Sequence, residues 1–235
     1  KKFREIADSC GAYLMVDMSH FAGLVVGGVY PSPFKYADVV TTTAHKTLRG
    51  PRAAMIFSSR SSKIAEGNKV EIPKLIDRAI FPGLQGGPHV NQIAGIAIAM
   101  HEAMQPSFRK YAKQVVSNAG VLAAELKKHG FRLVGNGTET HLLLVDLTNR
   151  RMSGREASDK LEKSGIIVNK NTIPYDPRTP MDPSGIRLGT PALTTRGMKE
   201  KEMKQVARLV KEVLVEGRDV SREVKVLCKK FPLSY

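Results

Sequence analysis

The sequence predicts an α/β chain, with a mostly parallel sheet in its first half and a smaller α+β domain in its second. Three observations carry this expectation. Segments 12–17 and 53–58 are short and largely apolar, as strands covered on both faces are, and 38–43 is a short strand-like piece between them. Helical apolar spacing alternates with these segments, the pattern of a strand–helix layer. Two longer helical stretches, 91–104 and 107–129, then lead into a second set of short strands and charged helices.

Taken in order, residues 1–10 read as an amphipathic helix stopped by Gly11, and residues 12–17 as a buried strand ending in the carboxylate of Asp17. Residues 25–29 and 38–43 read as strand-like pieces around the Pro31-Ser32-Pro33 turn, and 53–58 as a further strand. Residues 61–88 form an irregular middle whose Gly83-Leu84-Gln85-Gly86-Gly87-Pro88 segment is expected to open the next helix. Pro106 separates the two long helices and Gly130 ends the second. Strands are then expected at 131–134, 141–147, 166–169 and 186–189, with helices at 154–163, 199–216 and 220–229 and a Pro-rich loop at 174–183. The expected division is residues 1–105, the end of a larger domain with its linking helix, and residues 106–235, a small C-terminal domain.

At 235 residues and 42% hydrophobic, the chain can bury a core, while no apolar run approaches the roughly 18 residues of a membrane span. The N-terminus has no signal-peptide core, lacks methionine and opens in mid-pattern, so a fragment or processed chain is expected. Cys10 and Cys228 lie far apart without metal-ligand spacing, which favours reduced thiols and packing roles in an intracellular protein. The setting expected is cytoplasmic, with a mitochondrial one left open. Of the net charge of +15, residues 1–105 carry +4 and residues 106–235 carry +11. That basic half could attract phosphorylated or polyanionic ligands or RNA. Its Lys and Arg alternate with Glu on helical patterns, however, as on an ordinary solvated face. With aromatic residues at 6% and no Trp, stacking platforms for single-stranded nucleic acid are scarce.

Four segments carry chemistry. Thr41-Thr42-Thr43-Ala44-His45-Lys46-Thr47-Leu48-Arg49-Gly50-Pro51-Arg52 holds one lysine among small hydroxyl residues, a histidine and two arginines. Packing and neighbouring cations can turn such a lysine into an amine nucleophile, although a basic loop at a strand end reads the same way. Asp17 ends a strand, where a carboxylate either caps and ion-pairs or faces the protonated ring nitrogen of a pyridine cofactor; His20 could contact the same ring. Gly86 and Gly87 lie ahead of a helix, where backbone amides can approach a phosphate, although no Walker or dinucleotide fingerprint occurs. Arg187 sits in an apolar strand-to-turn setting and suits either a bidentate clamp on a carboxylate or a buried ion pair.

The order of a strand-end Asp, a lysine about thirty residues later, a Gly-rich helix start and a distant arginine resembles the fold-type I, aspartate-aminotransferase-like pyridoxal-phosphate enzymes. Within them, residues 17–24, 41–52, 81–88, 168–171, 184–192 and 231–233 resemble the serine hydroxymethyltransferase family, the Thr-rich His-Lys block being specific to it. The resemblance implies an internal aldimine of pyridoxal 5'-phosphate on Lys46, Asp17 on the pyridine nitrogen, and His20 against the cofactor and its phenolic oxygen. It implies His45 near the phosphate, Thr43 as a positioner tuning proton transfers, and Gly86 and Gly87 presenting amides to a phosphate in a partner subunit. Arg187 would hold the amino-acid carboxylate, Asn171 would contact the folate pteridine, and Arg52 would order the lysine loop against a tyrosine. No metal is implied.

The implied reaction interconverts serine plus tetrahydrofolate and glycine plus 5,10-methylenetetrahydrofolate, in a dimer-based homo-oligomer with no membrane or nucleic-acid partner. Two departures stand out: Ala44 replaces a family threonine, and the family's N-terminal portion is absent ahead of Lys1, so a partner segment of the same enzyme is expected. The alternatives are a threonine-type aldolase of the same fold, or a non-catalytic fragment whose basic half binds RNA or protein.

Overall fold

The computed structural model describes residues 1–58 and 71–233, and the chain divides into two compact units, Lys1–Lys110 and Tyr111–Tyr235. Both mix helices with a sheet.

In the first unit, α1 (Lys2–Ser9) turns its one central arginine inward. Arg4 donates to Asp38 Oδ2 at 2.7 Å and to the Ala12 carbonyl at 3.2 Å, while the Leu14 N–H also donates to Asp38 Oδ2 at 2.8 Å. These bonds tie together the starts of β1 (Met15–Asp17) and β2 (Val39–Thr43). The two strands run parallel, with Asp17 opposite Thr41, and α2 (Ala22–Val26) lies in the crossover between them. A parallel pair needs such a crossover because the chain must return to the same end. β3 (Ala54–Ser58) then pairs antiparallel to β2, with Thr43 opposite Ala54.

The sheet order β1-β2-β3 is therefore mixed, not mostly parallel as the sequence predicts. Residues 44–53, between β2 and β3, are too few for a crossover of a dozen or more residues, so β3 folds back. β1 is also not the buried strand predicted: it lies at an edge of the described sheet, with Met15 65% and Tyr13 61% exposed.

Residues 25–29, predicted as strand, lie largely in and after α2. The apolar run there has no alternation to separate strand from helix. Gly28 at φ +69° closes it, as the Val29 N–H reaches back to the Leu24 carbonyl and the Gly28 N–H to Val25, a left-handed helix stop that favours glycine.

In the middle, residues 61–70 fall outside the described residues, and Ile72–Arg78 forms α3 where irregular chain was predicted, its second residue a proline suited to a helix start. A wound segment, Ala79–Leu84, follows, with non-helical backbone at Phe81 and Pro82. α4 (Val90–Ala103) and α5 (Pro106–Lys128) complete this stretch. Pro106 begins α5, where a missing N–H costs nothing.

The second unit centres on an antiparallel sheet ordered β4 (Arg132–Leu133), β5 (Leu142–Asp146), β7 (Gly185–Gly189), β6 (Asn169–Asn171). α6 (Gly154–Lys163) is capped by the Ser153 hydroxyl, which accepts from the Glu156 N–H at 3.1 Å. β6 begins later than predicted because Ile166 is spent on closing α6, its N–H donating to the Leu161 carbonyl. α7 (Pro191–Thr195), α8 (Glu200–Leu214) and α9 (Ser221–Lys230) follow. Leu126, Leu143, Val145, Leu161, Ile186 and Met203 form the centre of the core. No helix among the described residues is long and apolar enough to cross a membrane.

Candidate active site

The end of β2 carries the lysine loop. The Ala44 N–H donates to the Ala53 carbonyl at 2.9 Å and the Gly50 N–H to the Ala44 carbonyl at 2.8 Å, so residues 44–53 close on themselves. Within that closure the Arg49 N–H donates to the Lys46 carbonyl, and Arg49 takes a left-handed φ of +60°, uncommon for a residue with a Cβ. Ala44 is fully buried.

α2 presses directly on this loop. The Gly23 N–H donates to Thr47 Oγ1 at 2.9 Å, and Thr47 Oγ1 donates to the His20 carbonyl at 3.1 Å. The approach is so close that a Cβ on Gly23 would lie 2.3 Å from the Thr47 carbonyl oxygen; only glycine fits.

Lys46 is half-buried, and its Nζ donates to Thr43 Oγ1 at 3.1 Å. Asp17 ends β1 next to this pair. Its Oδ1 accepts from the Ser19 N–H at 3.0 Å and from Ser19 Oγ at 2.5 Å. The Ser19 hydroxyl above all, with the Ser19 amide, Thr41 and the charge of Lys46, holds the Asp17 carboxyl below its usual range against the opposing effect of burial. Asp17 is exposed, not buried as predicted; hydrogen bonds rather than an apolar enclosure keep it ionised.

His45 is half-buried beside Lys46. Arg52 Nη1 lies 3.5 Å from its Nε2, while its Nδ1 is buried without a hydrogen-bond partner. Partial burial first, then the charges of Arg52 and Lys46, lower its pKa, which favours the neutral ring. His20 is exposed and follows directly on Ser19.

Gly86 and Gly87 do not open α4. They lie in exposed chain before its cap at His89, and a Cβ on either would meet nothing within 4 Å.

Arg187 and Asn171 belong to the second unit. β7 buries the residues flanking Arg187 and leaves Arg187 itself half-exposed. Its Nη2 donates to Asn169 Oδ1 at 3.4 Å, on the register pair Asn169–Arg187, and among the described residues it forms no ion pair with a carboxylate. Asn171 donates through Nδ2 to the Thr172 carbonyl at 2.8 Å.

Sequence reasoning missed Ser19 and Thr47. The alternation of Asp17 and Ser19 at the strand end was the available signal for the first; nothing local marks the second, whose partners lie 24 and 27 residues away.

Fold and site define a mixed α/β protein that carries a lysine-bearing loop and an ionised carboxylate at the ends of a parallel strand pair. The chain belongs to the serine hydroxymethyltransferase family, whose profile matches residues 1–210. It is 53% identical to a serine hydroxymethyltransferase of Desulfotalea psychrophila over 98% of this chain and 53% of that protein. The chain thus spans about half the length of the curated relative it matches.

Proposed function

We propose that the chain is the lysine-bearing part of a pyridoxal-phosphate enzyme that exchanges a one-carbon unit between serine and tetrahydrofolate. The observation that carries this reading is the bonded series Asp17–Ser19–Thr43–Lys46, which sets an ionised carboxylate and an amine at adjoining strand ends. The residues present fit the cofactor. Lys46 offers an amine to its aldehyde, Asp17 an ionised carboxylate to its ring nitrogen, and His45 a buried nitrogen without a partner beside a cationic arginine. When bound, pyridoxal phosphate supplies an electron sink for the carbanion left as a serine side-chain carbon departs.

Each residue has its own part. Asp17, kept ionised, would stabilise the protonated form of the ring nitrogen of a bound cofactor. Thr43 Oγ1 accepts a proton-bearing contact from Lys46 Nζ and so fixes where the amine lies. His45, favoured neutral, would offer its unpartnered Nδ1 to a hydrogen bond without adding a third charge beside Lys46 and Arg52. Arg187 presents a guanidinium fork to the substrate carboxylate, and Asn171 an amide to the pteridine. The exposed apolar residues around α1 and β1, including Phe3, Ile6 and Met15, support a complementary segment completing the first unit, in a dimer-based homo-oligomer. A cytoplasmic setting goes with the free thiols of Cys10 and Cys228.

The test joins this chain to the complementary half of the 53% identical relative. The visible cofactor band and serine-to-glycine conversion dependent on tetrahydrofolate are expected, and both are expected to vanish in Lys46→Ala. Absence of the band in the folded, completed protein refutes the cofactor assignment. Serine cleavage at full rate without tetrahydrofolate refutes the transferase reading in favour of an aldolase.

A further inference from the structure

The parallel ladder between β1 and β2 does not stop at the last strand residues. The Met18 N–H donates to the Thr41 carbonyl at 2.9 Å, so the next bond in a parallel ladder would run from the Thr43 N–H to the Met18 carbonyl. That carbonyl instead accepts the Phe21 N–H at 3.0 Å, as the chain turns into α2. The Thr43 N–H donates to the Ser19 hydroxyl at 3.0 Å. One side-chain oxygen thus continues the ladder where the backbone has turned away.

The same oxygen has a single proton to give, and it gives it to Asp17 Oδ1 at 2.5 Å. The Ser19 carbonyl lies 3.5 Å from Thr43 Oγ1, which in turn accepts from Lys46 Nζ at 3.1 Å. Ser19 is 9% exposed, so water competes little for these bonds. The local turn from Asp17 to Ser19 alone would be an ordinary side-chain-to-backbone motif. The bond to Thr43, 24 residues away, makes it a bridge between strands.

The geometry points to Ser19 as a positioning residue: its hydroxyl joins the Asp17 carboxylate to the Thr43 backbone and so holds the carboxylate and the Lys46 amine in one frame. Ser19 touches neither substrate nor cofactor in this role; it acts through Asp17 and Thr43. The inference rests on the proposed function only for the use made of Asp17, since the bridge is a property of this chain by itself. The groups that bear on Asp17 are Ser19, Thr41 and Lys46, with His20 next along the chain and His45 beside Lys46.

The test is a carboxyl-carbon NMR titration of this chain, with Asp17 assigned through Asp17→Asn. Ser19→Ala is expected to move the Asp17 midpoint upward, since the donor that most favours the ionised form is gone, and Ser19→Thr to return it toward the starting value. In the unmutated chain the Thr43 amide proton is expected to titrate with the Asp17 midpoint and to stop doing so in Asp17→Asn. The latter needs no Ser19 variant to fold. An unchanged Asp17 midpoint in folded Ser19→Ala, or a Thr43 amide indifferent to Asp17, overturns the inference. Neither readout involves the cofactor, so a chain that passes both yet shows no cofactor band when completed loses the functional reading and keeps the bridge.

Discussion

Replacing Gly23 by alanine tests the contact between α2 and the lysine loop. A Cβ there would fall 2.3 Å from the Thr47 carbonyl oxygen and 2.5 Å from its carbon, both backbone atoms that cannot rotate aside. Restoring van der Waals distance requires a separation of roughly 1 Å. That movement also breaks the buried bond from the Gly23 N–H to Thr47 Oγ1, now 2.9 Å. Overpacking costs about 1–3 kcal/mol and the orphaned donor about 1–3 kcal/mol more, while alanine's better helix propensity returns about 1 kcal/mol. The expected net loss is about 3 kcal/mol, read as a lower urea midpoint with an unchanged slope. Gly120→Ala provides the opposite sign. Gly120 lies exposed within α5, and a Cβ added there would meet nothing within 4 Å, so alanine should stabilise the second unit by about 1 kcal/mol. If Gly23→Ala unfolds within about 0.5 kcal/mol of the starting protein, the close packing of α2 on the loop is wrong.

Asp176 anchors the loop between β6 and β7, accepting from the Ile173, Arg178 and Ser184 amides and from the Ser184 hydroxyl. Partial burial opposes its ionisation, yet these donors bring its pKa from 3.8 to about 2. A depressed folded pKa contributes stability that is fully present above pH 3.8 and lost as pH falls through about 2. Asp176→Asn should therefore be less stable near neutrality and flatten that acid limb, as followed by amide exchange of β6 and β7. Arg187→Lys in the completed enzyme should weaken serine or glycine binding about 10- to 100-fold, because a lysine cannot form the paired bonds of a guanidinium fork; calorimetric titration with glycine measures it. Asn118 is fully buried, donating to Thr194 Oγ1 at 2.9 Å and to the Met198 carbonyl at 3.0 Å. Asn118→Ala leaves that carbonyl without its partner and should cost about 2–3 kcal/mol by urea unfolding.

Much of the secondary structure was legible locally. α6 begins and ends where the helical pattern predicts, because its Ser153 cap and its glycine stop at Gly165 are both written within one turn of its ends. α4 and α5 likewise follow their apolar spacing and the break at Pro106. The strand predicted at 25–29 failed because a five-residue apolar run has no period of its own. β6 failed by three residues because the ladder to β7, not the apolar run, sets where a strand begins.

The candidate site divides in the same way. Lys46, Thr43 and Asp17 could be named from residue type and order, since an amine among small hydroxyls and a strand-end carboxylate are chemically conspicuous. Gly86 and Gly87 rest instead on their place ahead of a helix, and a Cβ added to either would meet nothing within 4 Å.

The sequence alone determined the α/β alternation, the ends of α4, α5 and α6, and the family, all of which depend on side-chain type and short spacing. The tertiary structure decided what long-range pairing controls: that β3 returns antiparallel, that Gly23 lies against Thr47, and that Ser19 spans from Asp17 to Thr43. A hydroxyl has no preferred partner until two strands 24 residues apart are brought into register, and no local pattern encodes that register.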